Sequence, residues 1–336
     1  MYDLSHVVVS SSPHIKSGNS TRMLMLDVII ALMPALVVAV VTFGARALTL
    51  TAVSVLTCIV AESLYNKVMK KPNTIGDLSA VITGILLAFN VSAAAPMWMV
   101  IVGSAFSIVV VKCLFGGLGK NFMNPALAGR AFMMASWAGL MTTWVAPKYA
   151  LPLFASVTDV QTTATPLASL KEGVLSTVPL RDMLLGQTGG CIGEVSAAAL
   201  IIGGLYLVYR EVISLRIPLA FIGTVAALTF LFPRGGCDNY LWMMQNILSG
   251  GLMLGAIFMA TDYTTSPVTP KGQILFGIGC GLLTVFIRYF GGYPEGVSYS
   301  ILIMTTLVWA IDKWLRPRKY GYQKPSAKRW NKEGNL

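Results

Sequence analysis

Apolar residues along this chain neither alternate with polar ones nor keep to one helical face. They form long runs separated by short polar breaks. Ten runs can be drawn, over about 24–43, 47–66, 77–92, 97–115, 122–144, 193–209, 217–232, 243–260, 271–290 and 297–314. A membrane-crossing helix takes about 20 apolar residues, and several runs meet that length. The third run stops early at Asn90-Val91-Ser92, and the eighth at Thr261-Asp262-Tyr263. Interrupted runs in corresponding halves predict discontinuous helices that line a site near the membrane midplane.

The two breaks belong to a repeat. Thr83-Gly84-Ile85-Leu86-Leu87-Ala88-Phe89-Asn90 reads like Leu254-Gly255-Ala256-Ile257-Phe258-Met259-Ala260-Thr261. Pro96 and Pro267 follow the two glycines at the same spacing, and each copy runs on to Phe-Gly-Gly, at Phe115-Gly116-Gly117 and Phe290-Gly291-Gly292. With ten crossings the copies enter the membrane from opposite sides. The expected fold is therefore an all-α polytopic membrane protein, with about ten transmembrane helices in two inverted five-helix repeats.

Charge gives the orientation. With the N-terminus inside, eighteen of the 25 lysines and arginines fall in inner segments and six in outer ones; Arg130 lies within a helix. That bias puts both termini in the cytoplasm. The long polar loop 145–192 then faces outward. The expected organisation is a cytoplasmic segment 1–23, a first repeat 24–144, the outer loop 145–192, a second repeat 193–314 and a basic cytoplasmic tail 315–336. A loop of that length in a compact protein is usually functional or disordered.

Composition agrees. The chain is 55% hydrophobic and 12% charged, where a soluble domain carries about 25% charged residues. The net charge of +11 follows from the inside bias and the basic tail, which suits contact with anionic lipid or with other subunits; nucleic acid is not an expected partner. The first run is long enough to span, so no cleavable signal peptide is expected. Cys58, Cys113, Cys191, Cys237 and Cys280 form no C-x-x-C pair, so no metal or iron–sulfur site built by this chain alone is expected.

Few residues offer chemistry. Arg130, deep in a helix, needs a partner. Asn121 and Asn124 are three apart, on one helix face, and their amides suit the edge of a flavin or quinone as well as capping. Asp262 with Thr261, Thr264, Thr265 and Ser266 forms either a turn and helix cap or a Na⁺ or proton site. Asp27 and Asp77 lie near helix ends, satisfied at the interface or on an ion path. His14 reads as a surface or docking residue. Neither a P-loop, nor HExxH, nor a nucleophile elbow, nor a dinucleotide fingerprint appears in supporting context.

Three stretches carry a resemblance. Ser12-Pro13-His14-Ile15 with Asp27-Val28-Ile29-Ile30-Ala31-Leu32-Met33-Pro34-Ala35 resembles the start of the RnfD subunits of ion-translocating ferredoxin:NAD oxidoreductases. Gly116-Gly117-Leu118-Gly119-Lys120-Asn121-Phe122-Met123-Asn124-Pro125-Ala126 resembles the matching segment of the RnfD/NqrB family. Asp159-x-x-Thr162-x-Ala164-Thr165 is similar to the family's flavinylation motif, with Thr163 where the motif usually has Gly.

The resemblance covers nearly the whole chain. It implies FMN joined to Thr165 by a phosphoester, with Asp159, Thr162 and Ala164 read by the attaching enzyme outside the cytoplasm. It also implies a second, non-covalent riboflavin or FMN in the repeat core, for which Asn121, Asn124 and Arg130 are the candidates. Electrons would pass between ferredoxin and NAD, coupled to Na⁺ or H⁺, with Asp262, Asp27 and Asp77 as candidates for the ion path. The implied partners are the other Rnf subunits in the bacterial inner membrane: an outer flavoprotein, iron–sulfur membrane subunits and a cytoplasmic NAD-reducing subunit. The chain would be one part of a translocase. The competing reading is a solute transporter or channel of the inverted-repeat class, because fold alone does not fix function.

Overall fold

The computed structural model describes residues 20–147, 153, 163–194, 196–236, 238–293 and 295–316. It is helical, and the described residues form no strand beyond one isolated bridge between Ser92 and Cys191. Helix α1 spans Thr21–Phe43, capped by the Ser20 hydroxyl, which accepts from the Met23 N–H. Gly44, at φ 77°, ends it, and α2 (Ala45–Val68) follows at once. These two and α13 (Pro270–Phe290) are each long and apolar enough to cross a membrane.

The remaining helices are shorter than the apolar runs predict. The run 77–92 is α3 (Ser79–Phe89), preceded by a 3₁₀ turn at Ile75–Asp77. The run 97–115 is α4 (Met97–Phe106), continued by a π-helical segment, Ser107–Cys113. The run 122–144 splits into α5 (Pro125–Ser136) and α6 (Ala138–Met141). The outer loop is not structureless either: it holds α7 (Pro166–Lys171) and α8 (Leu180–Leu185). Then come α9 (Ala197–Tyr209), α10 (Arg216–Leu231) and α11 (Asn239–Leu248). The predicted eighth span is broken. Helix α11 meets α12 (Leu252–Leu254, continued in π form over Gly255–Met259) at a bend of 63°. A final helix, α14, spans Val297–Trp314.

Hydropathy missed the breaks at Trp137 and between α11 and α12 because apolar residues fill both sides of each one, and a run records solvent rather than backbone direction. Broken backbone at membrane depth persists only where protein buries it. Here the segment 189–194 does so. Its Ile192 and Gly193 N–H groups donate to the Val91 and Phe89 carbonyls at 3.0 and 2.8 Å. The broken ends of α3 and α12 meet where the Asn90 amide contacts Met259 Sδ at 3.6 Å.

The outer surface is apolar, with Val41, Trp309 and Trp314 among many large side chains turned outward. With lipid outside, helices gain little from burying oil and associate through close contact at small residues. A Cβ added at Gly84 of α3 would sit 2.6 Å from the Val55 Cα of α2. One at Gly277 of α13 would sit 2.9 Å from the Ile217 carbonyl of α10.

Overpacking a tight contact costs about 1–3 kcal/mol. Gly84→Ala is therefore expected to lower the thermal midpoint in detergent by several degrees. Gly223→Ala, with open space around the added methyl, is expected to leave it unchanged or raise it. Thermal unfolding of the two variants checks this.

Candidate functional site

Two cavities carry the residues singled out in the sequence on their walls. The first, of about 740 Å³, lies between α1, α3, α5 and the break after α12. Asn124 caps α5: its Oδ1 accepts from the Ala126 and Leu127 N–H groups, and its Nδ2 donates to the Met259 carbonyl at 3.4 Å. The amide is thus used in capping and in tying α5 to α12. Asn121 differs. Its Nδ2 donates to the Met123 carbonyl and to Thr264 Oγ1 at 3.2 and 3.1 Å, but its buried Oδ1 has no partner among the described residues. A buried acceptor left unmatched costs about 1–3 kcal/mol, so this oxygen suits an N–H donor on a bound molecule.

Lys112 also lines this cavity, and nothing in its sequence context singles it out. Its position reads as the end of a span, but the π segment after α4 carries it into protein, where it is 2% exposed. It donates to Glu62 Oε2 at 2.8 Å and to Ser79 Oγ at 2.6 Å. Glu62 Oε1 in turn accepts from Thr74 Oγ1 at 2.5 Å. The signal was available in outline: a glutamate inside the second apolar run needs a cation.

Of the carboxylates considered for an ion path, Asp262 lines the first cavity. It accepts from the Thr264 N–H and from the Thr264 and Thr265 hydroxyls at 3.1–3.4 Å, as a turn cap does. Asp27 is buried in α1, accepting from Tyr206 Oη at 2.9 Å and from Arg210 at 3.3 Å. Asp77 accepts from the Ser79 N–H and hydroxyl at 2.9 and 2.6 Å in the turn before α3.

The second cavity, about 700 Å³, is lined by Arg130, Trp144, Thr165, Tyr293, Glu295 and Tyr299, among others. A smaller one of about 450 Å³ adjoins it and shares Trp144, Thr165 and Glu295. Thr165 immediately precedes α7 in extended backbone. Its carbonyl accepts from the Ala168 N–H at 2.9 Å, and its hydroxyl makes no hydrogen bond with the described residues. Ala164 beside it is exposed. Asp159 and Thr162 lie outside the described residues, as do His14 and the basic tail beyond 316.

Arg130 does not join Asn121 and Asn124; it belongs to the cavity of Thr165. Its Nη1 donates to Asn90 Oδ1 at 2.7 Å, to Glu295 Oε1 at 3.0 Å and to Ser298 Oγ at 3.0 Å. Its Nη2 donates to the second Glu295 oxygen and to Cys191 Sγ. Cys191, Glu194 and Glu295 each bring one ligand-type atom within 4.8 Å of the others. The guanidinium lies against all three and fills the cation's place. Sequence reading missed Glu194 and Glu295, although a buried arginine demands a carboxylate and these two stand just before α9 and α14.

Apolar helices, several of them broken, with an apolar outer surface define a helical membrane protein. The sequence pattern of the NQR2, RnfD, RnfE family matches residues 8–321, and the chain belongs to this family. It is 51% identical to the D subunit of the Na(+)-translocating ferredoxin:NAD(+) oxidoreductase complex of Acetobacterium woodii, over 95% of this chain and 96% of that one. It is 43% identical to the D subunit of the proton-translocating ferredoxin:NAD(+) oxidoreductase complex of Clostridium ljungdahlii, over 93% and 96%. To the D subunit of the ion-translocating oxidoreductase complex of Actinobacillus succinogenes the identity is 34%, over 94% and 98%.

Breaking a buried ion pair costs about 3–5 kcal/mol, whereas replacing both partners is often neutral. Lys112→Met is expected to lower the stability in detergent strongly, and the double variant Lys112→Met/Glu62→Gln to recover most of it. A double-mutant cycle by thermal unfolding reads the difference.

Proposed function

We propose that the chain is the RnfD-type subunit of an ion-translocating ferredoxin:NAD oxidoreductase complex, carrying electrons through flavin. FMN is attached to Thr165 by a phosphoester, and a second flavin sits without a covalent bond in the Asn121 cavity. Family membership over nearly the whole chain supports the complex. The observation that carries the flavin is Thr165 itself. Its hydroxyl is not engaged by the described residues, its neighbour Ala164 is exposed, and it opens on a cavity with tyrosine rings and an arginine. A phosphoester needs such a hydroxyl, and a flavin ring needs flat apolar and cationic surroundings.

The chain's own residues divide the work. Thr165 tethers the outer group. Arg130, fixed by Glu295, Asn90 and Ser298, would give the cavity that holds the outer flavin a cationic wall. Asn121 Oδ1 would accept from an N–H of the second flavin, and Phe258 and Leu86 line that cavity with apolar wall. The flavins supply the one- and two-electron chemistry. The helices form two inverted five-helix repeats, with both termini in the cytoplasm and the Thr165 cavity outside, in a bacterial inner membrane. Partner subunits supply the rest: a flavoprotein outside, iron–sulfur subunits in the membrane and an NAD-reducing subunit within. The coupling ion is Na⁺ or H⁺, and the first two relatives named above carry one of each in their names.

The competing reading is a solute transporter or channel, which has no use for a motif at Thr165. Co-expression with a flavin transferase is expected to give a fluorescent band on a denaturing gel, absent in Thr165→Ala. A dark wild-type band beside a fluorescent control flavoprotein would favour the transporter. For the second flavin, Asn121→Leu is expected to reduce the flavin released on denaturation of purified protein by at least several-fold, leaving the covalent fluorescence intact.

A further inference from the structure

Glu194 is the odd charge in the cluster beneath Thr165. It ends the segment that covers the α3 break, and its side chain is 7% exposed. Its Oε2 accepts from the Cys191 N–H at 3.4 Å. Its Oε1 has no hydrogen-bond partner among the described residues, and Glu194 lines the smaller Thr165-lined cavity. Arg130 Nη1 lies 3.8 Å from Oε1, beyond hydrogen-bond reach, because both arms of that guanidinium are committed to Glu295.

No described cation makes a hydrogen bond to Glu194. Arg288 donates to the carbonyls of Asn246 and Ser249 at 2.6 and 3.3 Å. Lys171 donates to the Gly292 carbonyl. The Cys191 thiol donates to the Asn90 carbonyl at 3.4 Å. Arg130 spends its hydrogen bonds on Glu295, Asn90, Ser298 and Cys191, and Arg288 donates to carbonyls, so an ionised Glu194 would be buried without a charge-assisted hydrogen bond. Such groups neutralise and so avoid the solvation cost.

A neutral acid has a natural acceptor here. Gly251 lets the two carboxyl groups converge: a Cβ added there would lie 2.6 Å from Glu295 Oε1 and 2.9 Å from Glu194 Oε1. Two carboxylates this near do not both stay ionised; they share a proton. We propose that Glu194 and Glu295 hold a single proton between them, with Glu194 the neutral acid, which makes the floor of the Thr165 cavity a proton-binding site. Ionised Glu295 keeps its bond to Arg130, and the shared proton satisfies Glu194 Oε1. When charge in the cavity changes, this proton can move to or from the cavity without exposing Arg130. That last role rests on the flavin reading above, whereas the shared proton does not.

Infrared spectroscopy of the full chain in lipid nanodiscs tests the site. The wild-type-minus-Glu194→Gln difference at neutral pH is expected to contain a carboxylic-acid carbonyl band that shifts in D₂O. The band is expected unchanged when the pair of spectra is taken in a Thr165→Ala background, which lacks the covalent flavin. It is also expected unchanged on adding Na⁺ at fixed pH. Glu194→Gln, as a neutral isostere, is expected to unfold within a few degrees of wild type. Absence of the acid band from the difference, or its collapse on adding Na⁺, would overturn the proposal, the second in favour of a metal-cation site. A wild-type chain that shows the band but no covalent flavin fluorescence would count against the flavin reading alone.

Discussion

The guanidinium of Arg130 holds the structure's centre together. A cation at this depth is costly unless every donor finds a partner. Arg130 meets that demand with groups from four places: Asn90 at the α3 break, Cys191 on the covering segment, Glu295 before α14 and Ser298 within it. One side chain on α5 therefore joins both halves of the chain. The segment 189–194 turns inward because its Ile192 and Gly193 N–H groups and its Cys191 thiol donate to carbonyls at the broken helix.

Breaking two helices at the same depth creates what an unbroken bundle lacks. Polar backbone and short polar side chains become available inside an apolar body, and cavities form beside them. The two cavities have different chemistry. Around Asn121 the polar groups are neutral amides and hydroxyls beside a satisfied Lys112–Glu62 pair. Below Thr165 one arginine faces two glutamates. That contrast suits two redox groups held under different electrostatic control.

Much of the fold was legible in the sequence. The lipid-facing character, the breaks near Asn90 and Thr261, and the need to neutralise Arg130 all follow from residue type and position. The helix ends did not, because an apolar run continues through a break that only tertiary cover makes tolerable. Lys112 was read as an end-of-span lysine because a π segment leaves no trace in hydropathy. Arg130 was grouped with the asparagines since it lies six residues beyond Asn124, yet more than a helical turn and a half carries it to the opposite cavity. Glu194 and Glu295 were not singled out, because their role appears only when two distant segments are folded against each other.

The central claim is chemical, and mass spectrometry reaches it directly. The chain, purified from cells that make a flavin transferase, is digested and the peptide containing Thr165 is fragmented. The account predicts an FMN phosphoester localised to Thr165. Recovery of that peptide wholly unmodified, from cells in which a control flavoprotein is loaded, would contradict it.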